Sequence, residues 1–134
     1  MILLLQCIGI SDILHFDFID PPPVESIMRG MEHLYALGAL NDEGELTKTG
    51  RCMAEFPCDP TMSKSILGSA KYGCVSEILT ICAMLDVSNS VYYRPKGQEM
   101  HADNAHKGFS QGAHGDHVAL MNVYNQWREN GYHE

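Results

Sequence analysis

Three consecutive prolines, Pro21, Pro22 and Pro23, follow Asp20 and divide the chain. Each proline fixes its own φ, removes a backbone donor and pushes the residue before it toward extended geometry, so no helix or paired strand runs through this point. The last of them is compatible with the first turn of a helix. Beyond it Ile27, Met31, Leu34 and Tyr35 recur at helical spacing, which predicts an amphipathic helix over about 23–38, with Gly38 near its end.

Ahead of the prolines, residues 1–9 are apolar with little periodicity, and 15–19 alternate as His-Phe-Asp-Phe-Ile. A short helix and then an extended segment fit this pattern. So abrupt an opening reads as a chain that begins inside an element of a longer protein. The start lacks a basic n-region, and Gln6 and Asp12 interrupt it too early for a secretory leader. No apolar run approaches the roughly 18 residues of a membrane-spanning helix.

Downstream, Asn41-Asp42-Glu43-Gly44 is turn chemistry, and Glu45-Leu46-Thr47 suits a very short strand. Thr47 or Thr49 caps a helix reaching about Phe56, where Pro57 stops it. Asp59-Pro60 pairs an N-cap acceptor with a first-turn proline and opens a helix with Met62, Ile66, Leu67 and Ala70 on its apolar face, ended by Gly73. Val75, Ile78, Leu79, Cys82 and Leu85 mark the most apolar helix, about 75–86, expected to be the most buried. Ser88-Asn89-Ser90 breaks it, and 91–97 reads as a loop of extended character. A helix over about 99–109, a loop over 110–115 and a last helix over about 116–130, carrying Leu120, Val123, Tyr124 and Trp127, complete the chain. With 134 residues, 45% hydrophobic and 19% charged, there is room for one ordinary domain or two small ones. The pattern is mainly α, all-helical or winged-helix-like.

Charge narrows the chemistry. The net charge is −8, so the chain as a whole does not grip a polyanion by simple attraction. Residues 1–60 hold ten acidic residues against three basic ones. Arg94, Lys96, Lys107 and four histidines lie between 94 and 117, so an anionic ligand would meet the chain there, although isolated basic residues also serve as plain solvated surface. Tyr92, Tyr93 and Phe109 could stack on bases or simply pack. The stripe Ile27, Met31, Leu34 and Tyr35 is core by default, and a partner helix is the alternative use of such a face.

No P-loop, G-x-G-x-x-G, G-x-S-x-G or H-E-x-x-H motif occurs, and no acidic pair is placed to hold Mg²⁺ beside a phosphate site. No catalytic residue is assigned. His114 and His117 are three apart and His101 and His106 five apart; a metal site needs three or four convergent ligands and the second spacing does not share one helical face, so no metal site is expected. Cys7, Cys52, Cys58, Cys74 and Cys82 form no CxxC pair and read as buried free thiols in a reducing compartment.

The run His15-Phe16-Asp17-Phe18-Ile19-Asp20-Pro21-Pro22-Pro23, followed by Leu34-Tyr35-Ala36-Leu37-Gly38-Ala39-Leu40, closely resembles the helicase-associated region of DEAH-box RNA helicases. So does Gly44-Glu45-Leu46-Thr47-x-x-Gly50-Arg51-x-Met53-Ala54-Glu55-Phe56-Pro57-x-Asp59-Pro60. Further matches are Glu77-Ile78-Leu79-Thr80, Ala83-Met84-Leu85, Arg94-Pro95, Ala102-Asp103 and Gly115-Asp116-His117 before Leu120-Met121-Asn122-Val123-Tyr124. They cover nearly the whole chain in the family's order. Tyr35-Ala36-Leu37-Gly38-Ala39-Leu40 and Tyr93-Arg94-Pro95-Lys96 look most like the spliceosomal, pre-mRNA-splicing members.

The resemblance implies a degenerate winged-helix domain followed by the first helices of a helical-bundle ratchet domain. Residues 1–15 would end the second RecA-like motor domain, 16–73 would be the winged helix and 74–134 the truncated ratchet. ATP and Mg²⁺ would belong to the parent helicase's motor domains, with no cofactor in this stretch and no ATP hydrolysis by it. RNA would lie between the motors and the helical modules, making Arg94, Lys96 and Lys107 the RNA-contact candidates. The helix expected to read nucleic acid carries only Lys48 and Arg51, which suits a hinge between motor and ratchet better than a base reader. A G-patch-type cofactor or other spliceosomal protein would dock on the surface of 24–40, with Ile27, Met31, Leu34, Tyr35 and Leu37 as candidates. The remaining partners would be the protein's own motor and OB-fold domains, in the nucleus. The loop Ser110-Gln111-Gly112-Ala113-His114-Gly115 departs from the family's usual short Pro-Gly-Gly-Asp-His run, and no RNA contact is carried over to it. The alternative is a freestanding helical adaptor that binds a protein partner without RNA.

Overall fold

The computed structural model describes residues 1–92, 95–110, 112 and 114–132, with the side chains of 89 and 90 left aside. The chain forms two compact units, Met1–Gly68 and Ser69–Glu134. It is mainly helical, and among the described residues the only β pairing is an isolated antiparallel bridge between Leu40 and Leu46.

The first unit contains α1 (Ile2–Cys7), α2 (Val24–Ala36), α3 (Lys48–Ala54) and the greater part of α4 (Pro60–Tyr72). The prolines hold the entry to α2 extended: Pro23 sits at the N-cap, and its carbonyl accepts from the amides of Ser26 and Ile27 at 2.9 and 3.2 Å. The turn at 41–44 and the bridge stand where the turn and short strand were expected. Thr47, rather than Thr49, caps α3 by accepting from the Gly50 amide. The Asp59 carboxylate accepts from the amides of Thr61 and Met62, as the Asp-Pro signal predicts for the start of α4.

The core of this unit gathers Ile2, Leu3, Ile13, Ile27, Leu34, Ala39, Leu40 and Met53, with Leu5, Ile10, Phe18, Met31, Leu37, Leu46, Ala54 and Leu67 packed against it. Fully burying one such aliphatic side chain contributes about 1.5–3 kcal/mol. This cluster, drawn from every part of the unit, is what holds short helices that would be marginal alone. Residues 15–19 build no ladder: Phe18 turns toward the core while Ile19 is fully exposed, and the Phe16 and Phe18 rings meet edge-on at 4.7 Å.

The second unit contains the end of α4, then α5 (Val75–Asp86), α6 (Ser88–Val91), α7 (Glu99–Phe109) and α8 (Asp116–Glu129). Within it α5 packs chiefly on α8, and α7 also packs on α8. Two expectations are corrected here. Ser88-Asn89-Ser90 does not simply break the chain, because 88–91 re-enter one short helical turn after Val87 closes α5 with a bond to the Ala83 carbonyl. And α5, the most apolar helix, is not the most buried: only Met84 is buried, while Leu79 is 46% exposed and Val75 and Val87 are also exposed. An all-round apolar helix needs partners on several sides, and in its own unit α5 packs mainly on one.

The cysteine expectation holds for pairing and not for burial. None of the five forms a disulfide, but Cys7 is exposed and the other four are half-buried. Cys7 closes a short helix whose inward positions are taken by Ile2 and Leu3.

Candidate functional site

Helix α2 ends in a tight left-handed cap. Gly38, with φ of 73°, lets its own amide bond to the Tyr35 carbonyl and the Ala39 amide to the Leu34 carbonyl, the pattern of a Schellman motif. This turn delivers the Ala39 carbonyl to the start of α3. The Thr47 amide donates to it at 3.0 Å, while the Thr47 hydroxyl lies 2.7 Å from the Gly38 oxygen and 3.1 Å from that of Ala39. One threonine therefore caps α3 and ties it to the end of α2. Gly50 completes the approach, since a Cβ there would stand 2.2 Å from the Ala39 oxygen. A cap at Thr47 or Thr49 was legible, but its partners in the turn after α2 were not.

Of the docking candidates on this helix, Ile27 and Leu34 are each 4% exposed and belong to the core. Met31 and Leu37 pack against the same core. Only Tyr35 stands on the surface, at 53% exposed, and the exposed face it shares holds Val24 and Met28, which the stripe did not single out. The Tyr35 hydroxyl donates to Asp42 Oδ1 at 2.7 Å. That hydrogen bond, then the negative charge of Asp42, raises the Tyr35 phenol above its ordinary value. Near the start of the unit, His15 Nδ1 lies 2.8 Å from Asp12 Oδ2 on the exposed surface. The His15 side chain first, and its backbone amide second, hold the Asp12 carboxyl below the usual carboxylate range.

In the second unit Lys96 and Lys107 are exposed, and Arg94 lies outside the described residues. The Tyr92 ring lies 4.6 Å from that of His106 on the last turn of α7, next to Lys107. This contact holds the chain just ahead of 93–96 against the helix end that carries Lys107. The Asn122 side-chain amide donates to the Phe109 carbonyl at 3.2 Å, fixing that helix end to α8. Of the ring candidates Tyr92 is exposed, Phe109 is half-buried and Tyr93 lies outside the described residues.

The aromatic end of α8 was not anticipated. Trp127 meets Tyr132 edge-on at 4.8 Å, Tyr124 lies 6.0 Å from Trp127, and Arg128 stands 5.9 Å over the Tyr124 ring. The Tyr132 amide bonds to the Trp127 carbonyl and that of Gly131 to Arg128, so the ring contact is the apolar clasp of a second Schellman cap. Among the described residues no three His, Cys, Asp or Glu side chains converge to hold a metal ion.

Residues 30–58 match the family model of the helicase associated domain (HA2), winged-helix. Residues 59–120 match that of the helicase associated domain (HA2), ratchet-like, so the two matches run without a gap from 30 to 120. The pair is typical of DEAH-box helicases.

Proposed function

The chain belongs to the helicase-associated (HA2) family, as a winged-helix domain followed by a ratchet-like domain, and we propose that it serves a DEAH-box RNA helicase of pre-mRNA splicing as the module coupling motor movement to the RNA strand. The observation that carries this reading is the uninterrupted order of the two domains. Helicases with HA2 domains bind RNA. In the proposed division of labour the motor domains of the parent protein hold ATP and Mg²⁺, and this chain lines one side of the RNA channel in the nucleus. Arg94, Lys96 and Lys107 meet backbone phosphate there, each a point contact that positions the strand without reading sequence. The acidic first unit is then tolerable, because it acts as a hinge and leaves the phosphate grip to other surfaces. On that unit the exposed α2 face around Val24, Met28 and Tyr35 is the docking area for a G-patch-type cofactor.

The test is ultraviolet crosslinking of the full-length parent protein to RNA, with crosslinked peptides mapped by mass spectrometry. Crosslinks within 91–117 that fall in the Lys96→Glu, Lys107→Glu double variant are expected. Crosslinks confined to the motor domains, with none in 91–117, would overturn the RNA contact proposed for these residues.

A further inference from the structure

The chain reaches α7 from the helix's far end. The Tyr92 ring lies 4.6 Å from that of His106, in the last turn of α7, with the two planes tilted by 50°. By Gln98 the chain stands at the N-cap of the same helix. Its 11 residues rise about 16 Å. Tyr92 therefore stands beside one end of α7, and the turn over 95–98 stands at the other.

Lys96 is carried on that turn. The Gln98 amide donates to the Pro95 carbonyl at 3.2 Å and the Gly97 amide to Glu99 Oε1 at 3.0 Å, with Gly97 at φ of 84°. These bonds fasten the turn to the start of α7 on the side that runs into the helix. On the other side the Tyr92 ring ties the incoming chain to the helix end. That end is itself fixed, because the Asn122 side-chain amide donates to the Phe109 carbonyl at 3.2 Å. Tyr92 is 37% exposed, so the ring is placed by a surface contact and not by enclosure in a core. Lys107 follows His106 directly, and both lysines are exposed.

We propose that Tyr92 is a positioning residue for RNA: its contact with His106 holds Lys96 at the end of α7 opposite Lys107, so that the two lysines grip phosphates of one strand about a helix length apart. Two cations on fixed points give up less freedom on binding than two on a loose loop, and that saving is what the ring contact supplies. The inference rests on the RNA contact proposed above and adds to it two residues, Tyr92 and His106, that act through Lys96.

The test is the salt dependence of binding of a single-stranded oligouridylate to the full-length parent protein. Lys96→Gln is expected to weaken binding about three-fold, the reach of one exposed charge pair. It should also lower the slope of log K against log salt by about 0.7, one phosphate contact on a single strand. Tyr92→Ala is expected to do the same with Lys96 in place and to add nothing in the Lys96→Gln background, because contacts that act as a unit are not additive. His106→Ala, which removes the ring from the other side, should reproduce Tyr92→Ala. Tyr92→Phe and His106→Phe keep the ring pair and should match the wild type, with melting temperatures unchanged throughout. Wild-type binding by Tyr92→Ala, beside a weakened Lys96→Gln, would overturn the positioning role and leave the RNA contact standing. Additive losses would also overturn it, since Tyr92 would then meet RNA itself, and a loss in His106→Phe would do so for His106. No change in Lys96→Gln would overturn the RNA contact at Lys96 and the positioning role with it.

Discussion

The Ala39 amide donates to the Leu34 carbonyl across 2.9 Å, and the side chains of both residues are buried, Ala39 at 0% and Leu34 at 4% exposed. The helix cap and the core contact are thus one feature, and Gly38 makes it possible by taking φ of 73°. Gly38→Ala would place a Cβ with only Lys64 Nζ in ordinary contact at 3.6 Å, so its cost is conformational. A loss of about 1–2 kcal/mol in chemical denaturation is expected, the penalty of a left-handed L-residue. Gly38→Asn should lose less, because asparagine tolerates that region. Equal stability of wild type and Gly38→Ala would mean that the cap does not hold α2 in solution.

Gly50 makes a prediction of the same sign by a different mechanism. It lies inside α3 in an ordinary helical conformation, where alanine would normally help by up to about 1 kcal/mol. Its Cβ would instead press on the Ala39 carbonyl at 2.2 Å and on Leu46 Cδ1 at 2.7 Å. Gly50→Ala should cost about 3 kcal/mol, the upper part of the usual overpacking range. Gly68→Ala in α4 is the control, since nothing stands within 4 Å of its Cβ, and it should be neutral or stabilising. If both substitutions stabilise, the approach of α3 to Ala39 is looser than described.

Thr47 ties the same two helices with its hydroxyl. Thr47→Val removes the acceptor for the Gly50 amide and the donor near Gly38 while keeping the shape, and should cost about 1–2 kcal/mol. Thr47→Ser retains both bonds and should recover most of that loss in the same denaturation series.

Leu79 separates the apolar pattern from burial. In this chain Leu79→Asp should change stability by less than about 1 kcal/mol, mainly through helix propensity, because the residue is 46% exposed. Met84→Asp on the same helix should cost about 3 kcal/mol or more, since it buries an unpaired charge. Comparable losses for the two would show that the outer face of α5 is covered.

What the sequence made legible was local. Prolines and caps placed α2, α3 and α4 correctly because Pro23, Thr47 and Asp59 act on their own backbone neighbours. The winged-helix and ratchet assignment followed from runs such as Gly44-Glu45-Leu46-Thr47 and from their order along the chain. What escaped was everything decided by a distant partner. Hydrophobic period alone gave Ile27 and Leu79 the same standing, yet one faces a core built from several elements and the other is half open to solvent. The Thr47–Ala39 contact and the Tyr35–Asp42 bond link residues seven or eight apart through a turn, and no spacing rule encodes them. Among the RNA-contact candidates, Lys96 and Lys107 were visible only as charge, and the Tyr92–His106 contact joins residues too far apart in sequence for spacing to reveal it.

The Tyr35–Asp42 pair carries a pH dependence whose sign is set by geometry. The neutral phenol donates to the carboxylate at 2.7 Å, and ionising it would both break that bond and set two negative charges side by side. The Tyr35 value therefore lies above 10.0 in the folded chain. A group raised on folding contributes its stabilisation in full below its unfolded value and loses it as pH rises through the folded value, so this contact supports the turn at neutral pH and is lost in alkali. Following the Tyr35 ring carbons by NMR should show titration above that of a free tyrosine. Asp42→Asn should bring the midpoint back toward 10.0, since the largest cause of the shift is the hydrogen bond to the carboxylate and the next is its charge. Added salt should remove only the second part, because screening weakens the charge between exposed groups but leaves a direct hydrogen bond in place. A midpoint at 10.0 in the unmodified chain would mean that the bond does not persist in solution.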